Sequence, residues 1–142
     1  MTTSTALRPP ATAETARVLP PVLASVREAR AIVARELASH GLAVHRDDAE
    51  LLTSELVTNA LSHADGEIVL ALSFVGDTVH CEVRDSSAAT PVRRRSPDDD
   101  EHGRGLLLVQ TLARSWGTRL LRTGKAVWFE LGPRLEQPGM AV

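Results

Sequence analysis

Glu55 and Asn59 lie four positions apart in SELVTNALSHA, residues 54–64. At the angular step of an α-helix, that spacing sets a carboxylate and an amide about 40° apart on one face. Leu52, Leu56, Val57, Ala60, Leu61 and Ala64 form a broad apolar stripe beside them. A pair on the margin of such a stripe could face a cleft between helix and sheet, the carboxylate acting as a base and the amide oxygen binding a hard cation. A solvated helix edge would carry the same pattern.

Asp85 closes the run TVHCEVRD, in which Val79, Cys81 and Val83 alternate with His80, Glu82 and Arg84. Strand alternation predicts one buried and one wet face, and it turns Asp85 inward. An inward carboxylate is costly unless a donor meets it. A ligand amino group would serve, and so would a backbone N–H of the following turn; no basic residue nearby in sequence is obviously on that face. Gly103-Arg104-Gly105 stands at a predicted helix start, where glycines let backbone N–H groups approach a phosphate. It is not the dinucleotide fingerprint, because a charged loop precedes it. The phosphate-loop signature is also missing, since Gly124-Lys125 is followed by Ala126. The five histidines show no metal-ligand spacing, which argues against structural zinc.

The elements that must position these residues follow from periodicity and punctuation. ARVLP is a strand candidate ended by Pro20 and Pro21. Ser25 and Glu28 suggest a capping box for a first helix that carries Val26, Ala29, Ile32, Val33 and Leu37 and stops at Gly41. Asp47 and Glu50 suggest another for a second helix running to about Ala64. EIVLALSFV and TVHCEVRD, joined at Gly76-Asp77, read as a hairpin. Residues 86 to 102 form a long charged loop of the kind that is usually functional or mobile, with Arg93, Arg94 and Arg95 beside Asp98, Asp99, Asp100 and Glu101 read as a solvated stretch. LLLVQTLARSW is a third helix, and TRLLRT, GK and AVWFEL a closing hairpin with its turn at GK. The order predicts an α+β fold, a two-layer α/β sandwich with a mixed, mostly antiparallel sheet and helices on one face. Residues 1–15 and 133–142 read as tails around a single domain at 16–132.

With 142 residues, 43% hydrophobic and a net charge of −2, the chain is expected to be globular and cytoplasmic, with no direct nucleic-acid partner. It carries no apolar run long enough to cross a bilayer and no apolar segment of a secretory signal near its start. Cys81 reads as a small buried strand side chain, not a reactive thiol. Lys125 is the only lysine among 16 basic residues, which looks like codon bias.

Taken in order, ELVTNALSHA, VRDSS, HGRGLLLV and GKAVWFEL resemble the GHKL (Bergerat-fold) ATP-binding superfamily over roughly residues 18 to 132. The nearest likeness is to small anti-sigma-factor serine/threonine kinases. The resemblance implies ATP and Mg²⁺ as cofactors, with Glu55 as the general base and Asn59 as the magnesium ligand. It implies that Asp85 accepts from the adenine amine, that Gly103 and Gly105, with Arg104 and Leu106, wrap the phosphates, and that residues 86–102 cover the nucleotide. Phosphorylation of an anti-anti-sigma antagonist of the STAS type and sequestration of a sigma factor, often by a homodimer, would follow. Three departures mark this chain. Ser87 stands where relatives carry the glycine of Asp-x-Gly, and Ala126 where a threonine hydroxyl often reaches the adenine. Glu101 and His102 replace an arginine ahead of the glycine turn. They motivate an alternative, a non-catalytic regulatory binding module of the same fold.

Overall fold

The computed structural model describes residues 14–63, 65–86, 109 and 111–133. Strand β1 (Glu14–Leu19) leads into helix α1 (Ala24–Ser39), and a single 3₁₀ turn (Ala43–His45) leads into helix α2 (Arg46–His63). Strands β2 (Ile68–Val75) and β3 (Thr78–Asp85) follow, and β4 (Ser115–Leu121) and β5 (Gly124–Leu131) complete the sheet. The strand order is β1-β2-β3-β5-β4, with every described pairing antiparallel. Both helices pack on one face, giving the expected two-layer α+β sandwich. None of the described helices is long and apolar enough to cross a membrane.

The core lies between the layers. Ala29, Ile32, Val33 and Leu37 of α1 and Leu52, Leu56, Val57 and Ala60 of α2 meet Leu70, Leu72, Val79, Cys81, Val83, Val127 and Phe129 of the sheet. Periods of 3.6 and 2 in the sequence deliver these side chains to one interface. Helix α1 ends as its glycine predicts. Gly41 has φ +71°, and the Leu42 N–H donates to the Leu37 carbonyl at 2.8 Å. This is the six-to-one bond of a Schellman cap.

Neither predicted capping box forms. Leu23 occupies the N-cap of α1, and Ser25, the second residue of the helix, donates its hydroxyl to the Pro20 carbonyl at 2.7 Å. Helix α2 starts at Arg46, so Asp47 and Asp48 lie within its first turn, where they complement the helix dipole. Glu50 instead binds Arg46 at 2.8 Å and faces Arg30 of α1 at 3.6 Å.

The second half departs further from the sequence reading. Val109, Thr111 and Leu112 are helical, but Ser115–Gly117 belong to β4. Trp116 pairs with Phe129 and packs against the core, a long-range contact that outweighs local helix periodicity. The turn of the last hairpin falls at Arg122-Thr123, which puts Gly124 and Lys125 inside β5. Glu14 and Thr15, read from sequence as the end of a tail, belong to β1, where they pair with Ser73 and Leu72. The rest of the N-terminal tail, the expected loop beyond Ser86, the glycine-opened start of the third helix and residues 134–142 lie outside the described residues.

The sheet face turned away from α1 and α2 is not simply wet. Glu82 is 3% exposed there. It accepts from His80 Nε2 at 3.0 Å, from Arg84 Nε, and from Arg119 Nη1 and Nη2 at 3.1 and 3.0 Å. Burial alone would raise its pKa, but the hydrogen bonds from His80, Arg119 and Arg84 and the Arg84 charge overcome that and hold it well below the usual carboxylate range. A fork of cations therefore covers a position that alternation assigned to solvent.

Candidate functional site

Glu55 and Asn59 are both half-buried, on the margin that the helical spacing predicts. The fold sets their direction. Thr53, on the buried face of α2, lies 3.8 Å from Cys81 in mid β3. Ten residues on, α2 ends at His63, and Ile68, which starts β2 soon after, pairs with Asp85 at the end of β3. The helix advances about 15 Å over those ten residues, close to the roughly 13 Å that β3 covers from Cys81 to Asp85. The C-terminal half of α2, with Glu55 and Asn59, therefore runs toward the Asp85 end of the sheet.

Asp85 faces the helix layer and is 4% exposed. One charge partner is a residue that the sequence reading did not weigh. Lys125 stands directly opposite it on β5, with Nζ 3.2 Å from Oδ2 and 3.4 Å from Oδ1. The cross-strand row reads Leu19, Ile68, Asp85, Lys125, Leu120, a charge pair set between buried aliphatic side chains and an exposed leucine. Gly124 makes the approach possible. Its φ is +138°, and a Cβ there would fall 1.9 Å from the Asp85 carbonyl oxygen and 2.8 Å from Ser86 Cα. Any side chain at 124 would push β5 away from the Asp85–Ser86 backbone.

Ala126 is fully buried on the opposite face, turned away from α1 and α2, and paired with Arg84 and Arg119. It does not share a face with Asp85; Lys125 does. Sequence reading missed this because GK was assigned to the turn. Extending the Val127–Phe129–Leu131 alternation back by one step would have turned Lys125 inward. Ser87, Gly103, Arg104, Gly105 and Leu106 lie outside the described residues.

Cys81 is a fully buried core residue. Burial pushes its thiol up to about 12, only partly opposed by the Thr53 hydrogen bond. A second charged cluster, around Glu82 and His80, occupies the other face of the sheet. His80 Nδ1 lies 2.9 Å from Glu130 and its ring stacks on Trp128. With carboxylates against both ring nitrogens, both must donate, so the imidazole is charged. Burial opposes that charge, but the hydrogen bonds and charges of Glu130 and Glu82 outweigh it and raise the pKa from 6.5 to about 9.

The donors at the α2 margin suit a magnesium nucleotide. Mg²⁺ takes oxygen ligands, few of them from protein and the rest from water and phosphate. The amide oxygen of Asn59 is a ligand of that kind, with the Glu55 carboxylate beside it left to act as a base. A family model described as a histidine kinase-like ATPase domain matches residues 19–131, from the end of β1 to the end of β5. Among curated proteins, none shows a significant match to the chain.

Proposed function

The chain belongs to the family of histidine kinase-like ATPase domains, an ATP-binding fold, and on that premise we propose that it is a Mg²⁺-dependent protein serine/threonine kinase of the anti-sigma type. Its substrate is a STAS-type anti-anti-sigma antagonist, and its second partner is a sigma factor that it sequesters. The observation that carries this reading is the half-buried Glu55–Asn59 pair, directed by α2 toward a buried carboxylate at the sheet end.

In this reading the buried Asp85 accepts from the adenine amine. Asn59 supplies an oxygen to Mg²⁺, which when bound offsets the negative charge of the phosphates. Glu55 orients the substrate hydroxyl and takes its proton as the serine or threonine oxygen bonds to the γ-phosphorus. The bond from that phosphorus to the β,γ-bridging oxygen breaks, and ADP leaves. Gly103 and Gly105 wrap the phosphates. The work of the protein is positioning more than covalent chemistry.

The test is transfer of labelled phosphate from ATP to candidate STAS-type antagonists. Phosphoserine or phosphothreonine that forms with wild type and vanishes with Glu55→Ala supports the assignment. Transfer that survives the substitution removes Glu55 from its role.

A specific feature favours a second reading, a non-catalytic regulatory module. Asp85 already holds Lys125 as a charge partner, so adenine must share that carboxylate. The module reading predicts partner capture that is indifferent to Glu55→Ala and no phosphate transfer by wild type.

A further inference from the structure

The chain's single lysine is one of its most buried side chains. Lys125 is 1% exposed, and its ammonium group contacts both carboxylate oxygens of Asp85, at 3.2 and 3.4 Å. The backbone builds this pair. Antiparallel register sets Asp85 opposite Lys125, and Gly124 lets β5 close on the Asp85–Ser86 backbone to a distance that no other residue would permit. Buried Leu19 and Ile68 continue the same row on one side, and exposed Leu120 on the other.

Within the pair, the opposite charges of Asp85 and Lys125 offset each other. An ionic ligand would gain from one partner roughly what it lost to the other, whereas a neutral group with a donor beside an acceptor complements both. The carboxylate can only accept and the ammonium only donate. An aminopurine offers that complement, because its exocyclic amine donates and an adjacent ring nitrogen accepts. A compact ammonium on a long stem reaches such an atom as a point donor, unlike the planar fork of arginine.

We propose that Lys125 is a specificity-determining residue of the nucleotide site, donating to the ring nitrogen beside the purine amine while Asp85 accepts from the amine itself. The proposal rests on the ATP-binding reading above and adds to it the group that recognises the base. It also gives the lysine, set in a chain otherwise built with arginine, a role that codon usage does not supply.

The lone lysine makes the test direct. Protein grown with isotope-labelled lysine gives one lysine side-chain signal, that of Lys125. Titration with ATP should move this signal and saturate in step with binding measured by calorimetry. Wild type should bind at least one of 1-deaza-ATP and 7-deaza-ATP, each lacking a ring nitrogen beside the amine, more weakly than ATP. Lys125→Met should bind ATP roughly 10- to 100-fold more weakly, as when a buried hydrogen bond to a charged group is lost, and should no longer tell ATP from that analogue. If the variant does not fold, the wild-type signal and analogue series decide alone. ATP binding that leaves the lysine signal in place, with both analogues bound as tightly as ATP, would make the pair structural only. That result overturns the inference and leaves the ATP reading standing. No binding of ATP by wild type would overturn both.

Discussion

Arg119 reaches from edge strand β4 across β5 to lay its guanidinium over Glu82, with Nη1 and Nη2 3.1 and 3.0 Å from the two carboxylate oxygens. This two-point grip, joined by Arg84 and His80, keeps Glu82 buried on a sheet face that no described helix covers. The sheet thus hides its two central acidic residues in different ways. Glu82 is shielded by His80, Arg84 and Arg119 on the face away from α1 and α2, and Asp85 is met by Lys125 on the helix side.

Removing the hub should cost more than removing a spoke. Glu82→Ala leaves His80, Arg84 and Arg119 crowded without their shared anion, and a loss of about 3 kcal/mol is expected for breaking such a buried network from the anionic side. Arg119→Ala, which removes a half-exposed partner, should cost about 1 kcal/mol or less. Urea unfolding of the two variants checks the order; equal losses would contradict it.

The charged His80 ties stability to alkaline pH. Its folded pKa, about 9, lies above the ordinary 6.5, so the native state holds a proton that the unfolded chain gives up. The contribution is complete below pH 6.5 and is lost as pH rises through 9. Thermal melting points followed across that window should fall in wild type and flatten in His80→Gln. A wild-type profile that stays level would contradict the charged imidazole.

Gly124 admits no side chain. Its positive φ and the 1.9 Å separation between a would-be Cβ and the Asp85 carbonyl mean that Gly124→Ala must shift β5 or β3. A stability loss of about 3 kcal/mol or more is expected, well above the usual cost of placing alanine at a glycine site. By contrast Gly76→Ala, also at positive φ but with open space around it, should cost about 1 kcal/mol.

Cys81 should resist thiol reagents in the folded protein. Full burial and a pKa near 12 leave almost no thiolate at neutral pH. Labelling should be slow in buffer and fast in denaturing urea. Rapid labelling of native protein would show that β3 opens readily.

The first half of the fold was legible because its elements repeat cleanly. The apolar series of α1 and α2, Gly41, and the Gly76-Asp77 hairpin all carry local signals that tertiary packing then obeys. The inward turn of Asp85 followed from the same alternation. What sequence hid was decided across strands. Glu82 alternates as a solvent residue, and its burial is offset by His80 and Arg84 together with Arg119, which lies 37 positions away. Trp116 sits in a helical pattern yet pairs with Phe129. Lys125 lay in what resembled a turn, and with it went the partner of Asp85. Ala126, placed near the adenine by resemblance, falls on the other face for the same one-residue reason.

The most direct test of the central claim is calorimetric titration of ATP into the protein with and without Mg²⁺, in wild type, Asp85→Ala and Asn59→Ala. The account predicts Mg²⁺-dependent binding in wild type, binding abolished in Asp85→Ala, and loss of the Mg²⁺ dependence in Asn59→Ala. Binding that is equally strong in all three proteins, or unaffected by Mg²⁺ in wild type, would contradict it.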